Sequence, residues 1–262
     1  MEGQLKESPP RLAYQSFGQV GAMESYQAEL EKLVRGAVTP GARIDVLRLP
    51  EAIVAGKGYA SAQALEVPMI LRSIHRASRA GYDALAIGNG FDPGLWEARE
   101  LFEVPIVGLF ESAALHALRT GWRFGVLCSG NSGPSRIEEM AARYGIKDRM
   151  VRPLAIGLSV PQVVSAFDDA EAAEQLMAAA RDRAEELANR GADVVVVASG
   201  ALDVILTTRR LVQFPLPILP SVKILVRDLE AAVRSARLEI PFISRTGRFA
   251  RPPDEVLQLL DG

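Results

Sequence analysis

Three short loops hold the residue types that could do chemistry. The first reads Ile87-Gly88-Asn89-Gly90-Phe91-Asp92-Pro93-Gly94-Leu95. Gly88 and Gly90 let backbone approach a ligand closely, and N–H groups at the start of a following helix suit an anion. The same glycines also suit a tight strand-to-helix turn with nothing bound. Asp92 is either the N-cap of a helix opened by Pro93 or a base. The second loop is Ala198-Ser199-Gly200-Ala201-Leu202-Asp203. Ser199 is there a cap, a donor to a carboxylate or a weak nucleophile. The last role needs a neighbouring base, and the sequence offers neither a Gly-x-Ser-x-Gly elbow nor a nearby histidine. The third is Val126-Leu127-Cys128-Ser129-Gly130-Asn131-Ser132-Gly133-Pro134, whose N–H and O–H groups, Ser129 and Ser132 included, suit an anion. Cys128 ends an apolar run. It is either a small buried hydrophobe or a thiol, which would need exposure and a lowered pKa to react. Glu111 is either an acidic first-turn residue, favoured by the helix dipole, or a base turned into a cleft.

The rest of the inventory narrows the field. One cysteine excludes an internal disulfide and a Cys-rich zinc site. With His75 and His116 the only histidines, no metal site is expected. His75 is expected on a helix surface, and Arg181–Arg183 and Arg209-Arg210 on solvated faces. A net charge of −2 with both signs scattered leaves no footprint for nucleic acid. The start, MEGQLKESPPR, has no apolar core of the signal-peptide kind, and no run of about 18 apolar residues suggests a membrane helix. A soluble cytoplasmic protein is the expectation. Hydrophobic residues at 48% and charged residues at 24% are ordinary for a globular chain.

Elements that could position these loops follow from periodicity. Strands are expected at 12–17, 44–49, 83–88, 105–109, 123–128, 194–199 and 217–219, with 151–158 extended. Helices are expected at 23–36, 62–80, 93–102, 112–120, 136–144, 170–190 and 222–236. Fully apolar strand runs such as Val194-Val195-Val196-Val197, alternating with amphipathic helices, imply parallel sheets covered by helices.

The chain also repeats itself. Gly81-Tyr82-Asp83 and the strand to Gly90 lie on Gly191-Ala192-Asp193 and the strand to Gly200 at an offset of 110. Pro105 and Pro215 keep that offset, and 11–18 resembles 123–130 at an offset of 112. A period this long means two copies of one α/β unit rather than a solenoid. The expected division is 11–105 with 220–262 against 106–219. Ligands in open α/β sheets bind beyond the carboxyl ends of the strands. Asn89-Gly90 and Ser199-Gly200 should then flank one cleft, with Asn89 and Ser199 within about 10 Å, the span of a small carboxylate hydrogen-bonded on both sides. Ser16, in the duplicate of the third loop (16–21), should contribute from the other half.

The segments NGFDPGLWEAREL (89–101), VPIVGLFESAA (104–114) and DVVVVASGAL (193–202), with RFGVLCSGNS (123–132), resemble the aspartate/glutamate racemase superfamily and its hydantoin racemase branch. The likeness extends over most of the chain. It implies two pseudo-symmetric α/β subdomains, chemistry without a cofactor, a small carboxylate, amino acid or hydantoin as substrate, and a homo-oligomer. It also implies two cysteines acting on opposite faces of the substrate, at positions matched here by Asn89 and Ser199. This sequence departs from the pattern at both, since a carboxamide is barely basic and a serine needs activation. Two functions follow: a divergent isomerase or lyase using other bases (Glu111, Asp92 or Cys128), or a protein that binds a small molecule without catalysis.

Overall fold

The computed structural model describes residues 8–19, 23–50, 59–209 and 213–261. Within them the alternating pattern becomes two parallel four-stranded sheets. Strands β1 (Arg11–Gln19), β2 (Arg43–Leu49), β3 (Ala84–Ile87) and β4 (Ile106–Gly108) lie in the order β2-β1-β3-β4. Strands β5 (Phe124–Cys128), β6 (Leu154–Ala155), β7 (Val194–Val197) and β8 (Ile218–Leu219) repeat it as β6-β5-β7-β8. The residues of β3, β5 and β7 are buried throughout, which is why they read as unbroken apolar runs.

The covering helices are α1 (Glu24–Arg35), α2 (Ala60–Arg79), α3 (Leu95–Leu101), α4 (Leu109–Thr120), α5 (Gly133–Arg143), α6 (Val160–Ser165), α7 (Ala170–Asn189), α8 (Gly200–Arg209), α9 (Ser221–Arg237) and α10 (Asp254–Gln258). Of the expected extended stretch 151–158, only two residues pair as a strand. Pro153 lacks a donor, and Gly157 adopts φ +82°. Helices α6, α8 and α10 are additions to the expected set. The second loop stops at Ser199, because Gly200 already opens α8.

The duplication is visible in hydrogen bonds. Arg11 N–H donates to the Asp83 carboxylate (2.7 Å) and Arg123 N–H to that of Asp193 (2.8 Å). Each aspartate returns its own N–H to the arginine carbonyl, at 2.8 Å in both halves. The repeated Gly-x-Asp is thus a lock holding the start of β3 to β1 and of β7 to β5. One detail of the repeat needs correction. Leu85 N–H bonds to the Pro105 carbonyl and Val195 N–H to that of Pro217, so Pro217, not Pro215, is the partner of Pro105. The intervening chain is simply two residues longer in the second half.

Each half gives its last helix to the other. Helix α4 follows β4 but packs on β7, whereas α9 follows β8 but packs on β3 and β4, and the two helices cross in contact. One apolar core runs through both halves, from Leu12, Tyr14 and Leu30 to Val195, Leu202 and Leu225. Strand β4 pairs with β3, so the first sheet runs to Gly108 and the boundary expected at 105/106 falls inside it. Near the C-terminus, Leu257 and Leu260 pack on the core of the first half. No helix among the described residues is long and apolar enough to cross a membrane.

Candidate functional site

Both sheets change direction of winding between their two central strands, and the loops leaving those strands open toward one another. Between them lies a cavity of about 400 Å³. Phe17 borders it at the end of β1, Gly88–Phe91 after β3, Cys128–Gly133 after β5 and Ala198–Ala201 after β7. The loops after β3, β5 and β7 therefore share one chamber, with Phe17 of β1 at its border. Asn89, Gly90, Ser129, Ser132, Ser199 and Gly200 all line it. The loops that carry Asn89 and Ser199 pack directly on each other. Gly90 lies against the Ala198 backbone, and a Cβ on Gly90 would stand 2.2 Å from the Ala198 carbonyl oxygen. A Cβ on Gly200 would stand 3.2 Å from the Gly88 carbonyl oxygen. The loops of the two halves thus touch backbone to backbone, which only glycine at position 90 allows. Gly88 has a separate reason: the Tyr14 ring fills the space where its Cβ would be.

The side chains at the two central positions are tied into local turns. Asn89 Oδ1 accepts from Phe91 N–H at 2.9 Å. Ser199 Oγ accepts from Ser129 Oγ–H at 2.8 Å and, at 3.4 Å, from Leu202 N–H in the first turn of α8. Ser129, itself buried, links the third loop to the second. The Cys128 thiol is buried under Gly133, and burial pushes its pKa up to about 12. That keeps the thiol protonated, as expected of a small buried hydrophobe.

One expected role is corrected, that of Asp92, while Glu111 is the acidic first-turn residue of α4. Asp92 does not cap a helix at Pro93, because Asp92 itself takes φ +41° and α3 begins only at Leu95. Its buried carboxylate instead accepts from Phe110 N–H (3.0 Å) and Glu111 N–H (2.9 Å), capping α4, and from the Tyr144 hydroxyl (2.8 Å). Asp203 does the same for α9, accepting from Ser221 N–H (2.7 Å) and Val222 N–H (2.9 Å). Burial, and for Asp92 also the charge of Glu111, pushes both carboxyls up to about 7. Glu111 does not line the cavity. Its carboxylate is gripped by the Arg99 guanidinium at 2.8 and 2.5 Å.

Ser16 is likewise outside the cavity lining. It is fully buried, and its hydroxyl accepts from Gln27 Nε2 at 2.9 Å and from Gly18 N–H at 3.2 Å. Residues 20–22, the rest of its loop, lie outside the described residues. His75 is partly covered, stacked at a tilt on Phe102 and bonded to Asp261. Arg209 donates to the Phe167 carbonyl, and Arg210 falls outside the described residues.

Several lining residues come from helices that sequence patterns did not connect to the site. Helix α2 contributes Gln63 and Glu66, preceded by Tyr59, spaced so as to share one helical face. Glu66 sits among Ala62, Ile70, Ser73 and Ile74 on the buried side of α2. A carboxylate on the apolar stripe of an amphipathic helix was the available signal. Helix α5 contributes Arg136, whose guanidinium lies 3.8 Å from the centre of the Phe91 ring and donates to Gln63 Oε1. Burial pulls Arg136 down from its ordinary pKa, with the charge of Glu139 opposing. Ser159 and Gln162 form a capping box at the start of α6 on the opposite wall.

The class so defined is a two-fold α/β scaffold with an interlobe cavity bordered by glycine loops. Residues 20–229 match the family model described as Asp/Glu/Hydantoin racemase, and the chain belongs to that family. It is 30% identical over 135 residues to a hydantoin racemase of Rhizobium meliloti, covering 52% of this chain and 54% of that one. It is 31% identical over 87 residues to a hydantoin racemase of a Pseudomonas species (strain NS671), covering 33% and 35%. The chain thus spans about half the length, or less, of these two curated relatives. Among solved structures, the allantoin racemase from Klebsiella pneumoniae superposes with a TM-score of 0.75 at 21% identity, covering 93% of this chain and 94% of that one. A glutamate racemase from Bacillus anthracis gives 0.63 at 14% identity, covering 89% and 84%. These likenesses show the fold.

Proposed function

We propose that this chain is a divergent isomerase or lyase of the family, moving a proton beside the carbonyl of a small carboxylate or cyclic imide without a cofactor. One observation carries the reading: the glycine loops of both halves meet across one cavity, yet neither central position holds a thiol. The starts of α5 and α8 border that cavity, and N–H groups at helix starts stabilise an enolate-like oxygen. Removing a carbon-bound proton also needs a base. Asn89 is neutral, Ser199 is occupied as a hydrogen-bond acceptor, and Cys128 stays protonated. We assign proton transfer to Glu66, the one carboxylate among the described lining residues.

The test is deuterium exchange at the α-carbon of a hydantoin or amino acid in D2O, followed by proton NMR. Wild type should exchange, and Glu66→Gln should lose about a hundredfold or more, as loss of a general base typically does. The double variant Asn89→Cys with Ser199→Cys should exchange faster than wild type, since it puts a thiol on each loop of the cavity, the one at 199 beside the start of α8. Undiminished exchange by Glu66→Gln would remove the assigned base. A second reading, binding without catalysis, draws on the local bonds that engage Asn89 and Ser199. It holds if wild type binds the ligand and exchanges nothing.

A further inference from the structure

The cavity wall has a seam at which one cation bridges the two halves. Arg136 belongs to α5 of the second half, but it stacks on Phe91 of the first loop and donates to Gln63 of α2, both of the first half. Stacking occupies the flat face of a guanidinium and fixes its plane. The five donors lie in that plane, in a fork that matches a carboxylate. A side chain held this way loses little rotamer freedom when it binds. Glu66 lines the same wall and by itself would repel an anion. Gln63, however, stands three residues before Glu66 on α2, so its bond to Arg136 brings the positive charge onto the helix face that carries Glu66. Much of the remaining wall is apolar: Phe17, Met23 and Tyr26 from the first half, and Val160 from α6. About 400 Å³ is also far more room than a carboxylate alone would fill.

We infer that Arg136 is the specificity-determining residue of this cavity, selecting a carboxylate that carries a bulky apolar substituent over a neutral imide of similar size. This rests on reading the cavity as a small-molecule site, and it deepens that reading by choosing between its two substrate classes. The chemistry is that of a buried charge-assisted pair: the ligand's two oxygens meet the guanidinium edge, and its apolar group displaces water from the aromatic side of the wall.

Titration calorimetry with four probes tests it: 2-phenylpropionate, its carboxamide (the same shape without charge), propionate (the charge without the ring) and hydantoin. Wild type should bind 2-phenylpropionate about ten- to a hundredfold more tightly than the carboxamide, as a hydrogen bond to a charged group implies. It should favour 2-phenylpropionate over propionate by about tenfold or more, as burial of a ring implies. Arg136→Gln should abolish the preference for acid over amide, weakening the acid far more than the amide. Arg136→Lys, which keeps the charge but not the fork, should keep only part of that preference. If Arg136→Gln does not fold, the wild-type comparison of acid with amide and the Arg136→Lys variant still decide. Equal binding of acid and amide, or a preference that survives in Arg136→Gln, would overturn the inference. Binding of hydantoin alone would overturn it while leaving the small-molecule reading in place. Binding of none of the four would overturn both.

Discussion

Gly90→Ala is the sharpest perturbation the site offers. Position 90 has no positive φ, so alanine meets no backbone penalty there and only the added methyl group is tested. That methyl carbon would stand 2.2 Å from the Ala198 carbonyl oxygen and 2.3 Å from its carbon. Ordinary contact needs about 3.4 Å or more, so the loops must part by about 1 Å. Neither side yields easily, because both are backbone and Ala198 directly follows a buried strand. Overpacking of this kind costs typically 1–3 kcal/mol, and the upper end is expected here. For a chain of this size about 3 kcal/mol corresponds to a fall in Tm of roughly 5–10 °C. A shift of about 1 Å between the loops should also weaken any turnover by about a hundredfold. Gly200→Ala is the matched control, since its methyl group would meet its nearest atoms at 3.2 Å and need only a few tenths of an ångström. Thermal unfolding followed by circular dichroism, paired with ligand titration, provides the measurement. If Gly90→Ala matched wild type in both Tm and affinity, or Gly200→Ala were the more damaging, the backbone-to-backbone contact would not be what closes the cavity.

Two further outcomes are expected. Iodoacetamide should label Cys128 slowly in the native protein and leave ligand binding intact, because burial holds the thiol at about 12; complete inactivation that ligand prevents and Cys128→Ser abolishes would revive a thiol mechanism. Asp92 and Asp203 titrate near 7 in the folded chain against an ordinary 3.8, so their contribution to stability is full below about 4 and is lost as pH rises through about 7. Urea midpoints at pH 5 and pH 8 should therefore fall more steeply for wild type than for Asp203→Asn, and parallel falls would contradict the buried titration.

The parts of this molecule that could be read in the sequence are those that depend on neighbours along the chain. The apolar runs of β3, β5 and β7 and the Gly-x-Asp locks at 81–83 and 191–193 are local, and so is the repeat they form. Helix α8 was hidden because Leu202, Asp203, Val204, Ile205 and Leu206 are all buried, which leaves no amphipathic period to detect. Asp92 misled for another reason. Asp-Pro is a helix-start signature, but the helix Asp92 caps begins 17 residues later at Leu109, a partner that no local pattern specifies. The glycine loops were legible as the border of a cleft, whereas Gln63, Glu66 and Arg136 line the cavity only through the placement of α2 and α5.

The exchange of α4 and α9 between the halves has a mechanical meaning. Two lobes joined by a simple hinge can swing apart and shut on a ligand. Here each lobe is clasped by a helix that grows out of the other, and those helices also cross in contact. Swinging the lobes open would strip α4 from β7 and α9 from β3 together, exposing apolar surface on both sides at once. The lobes are therefore coupled as a single cooperative body, and neither is a foldable piece to be cut out and studied alone.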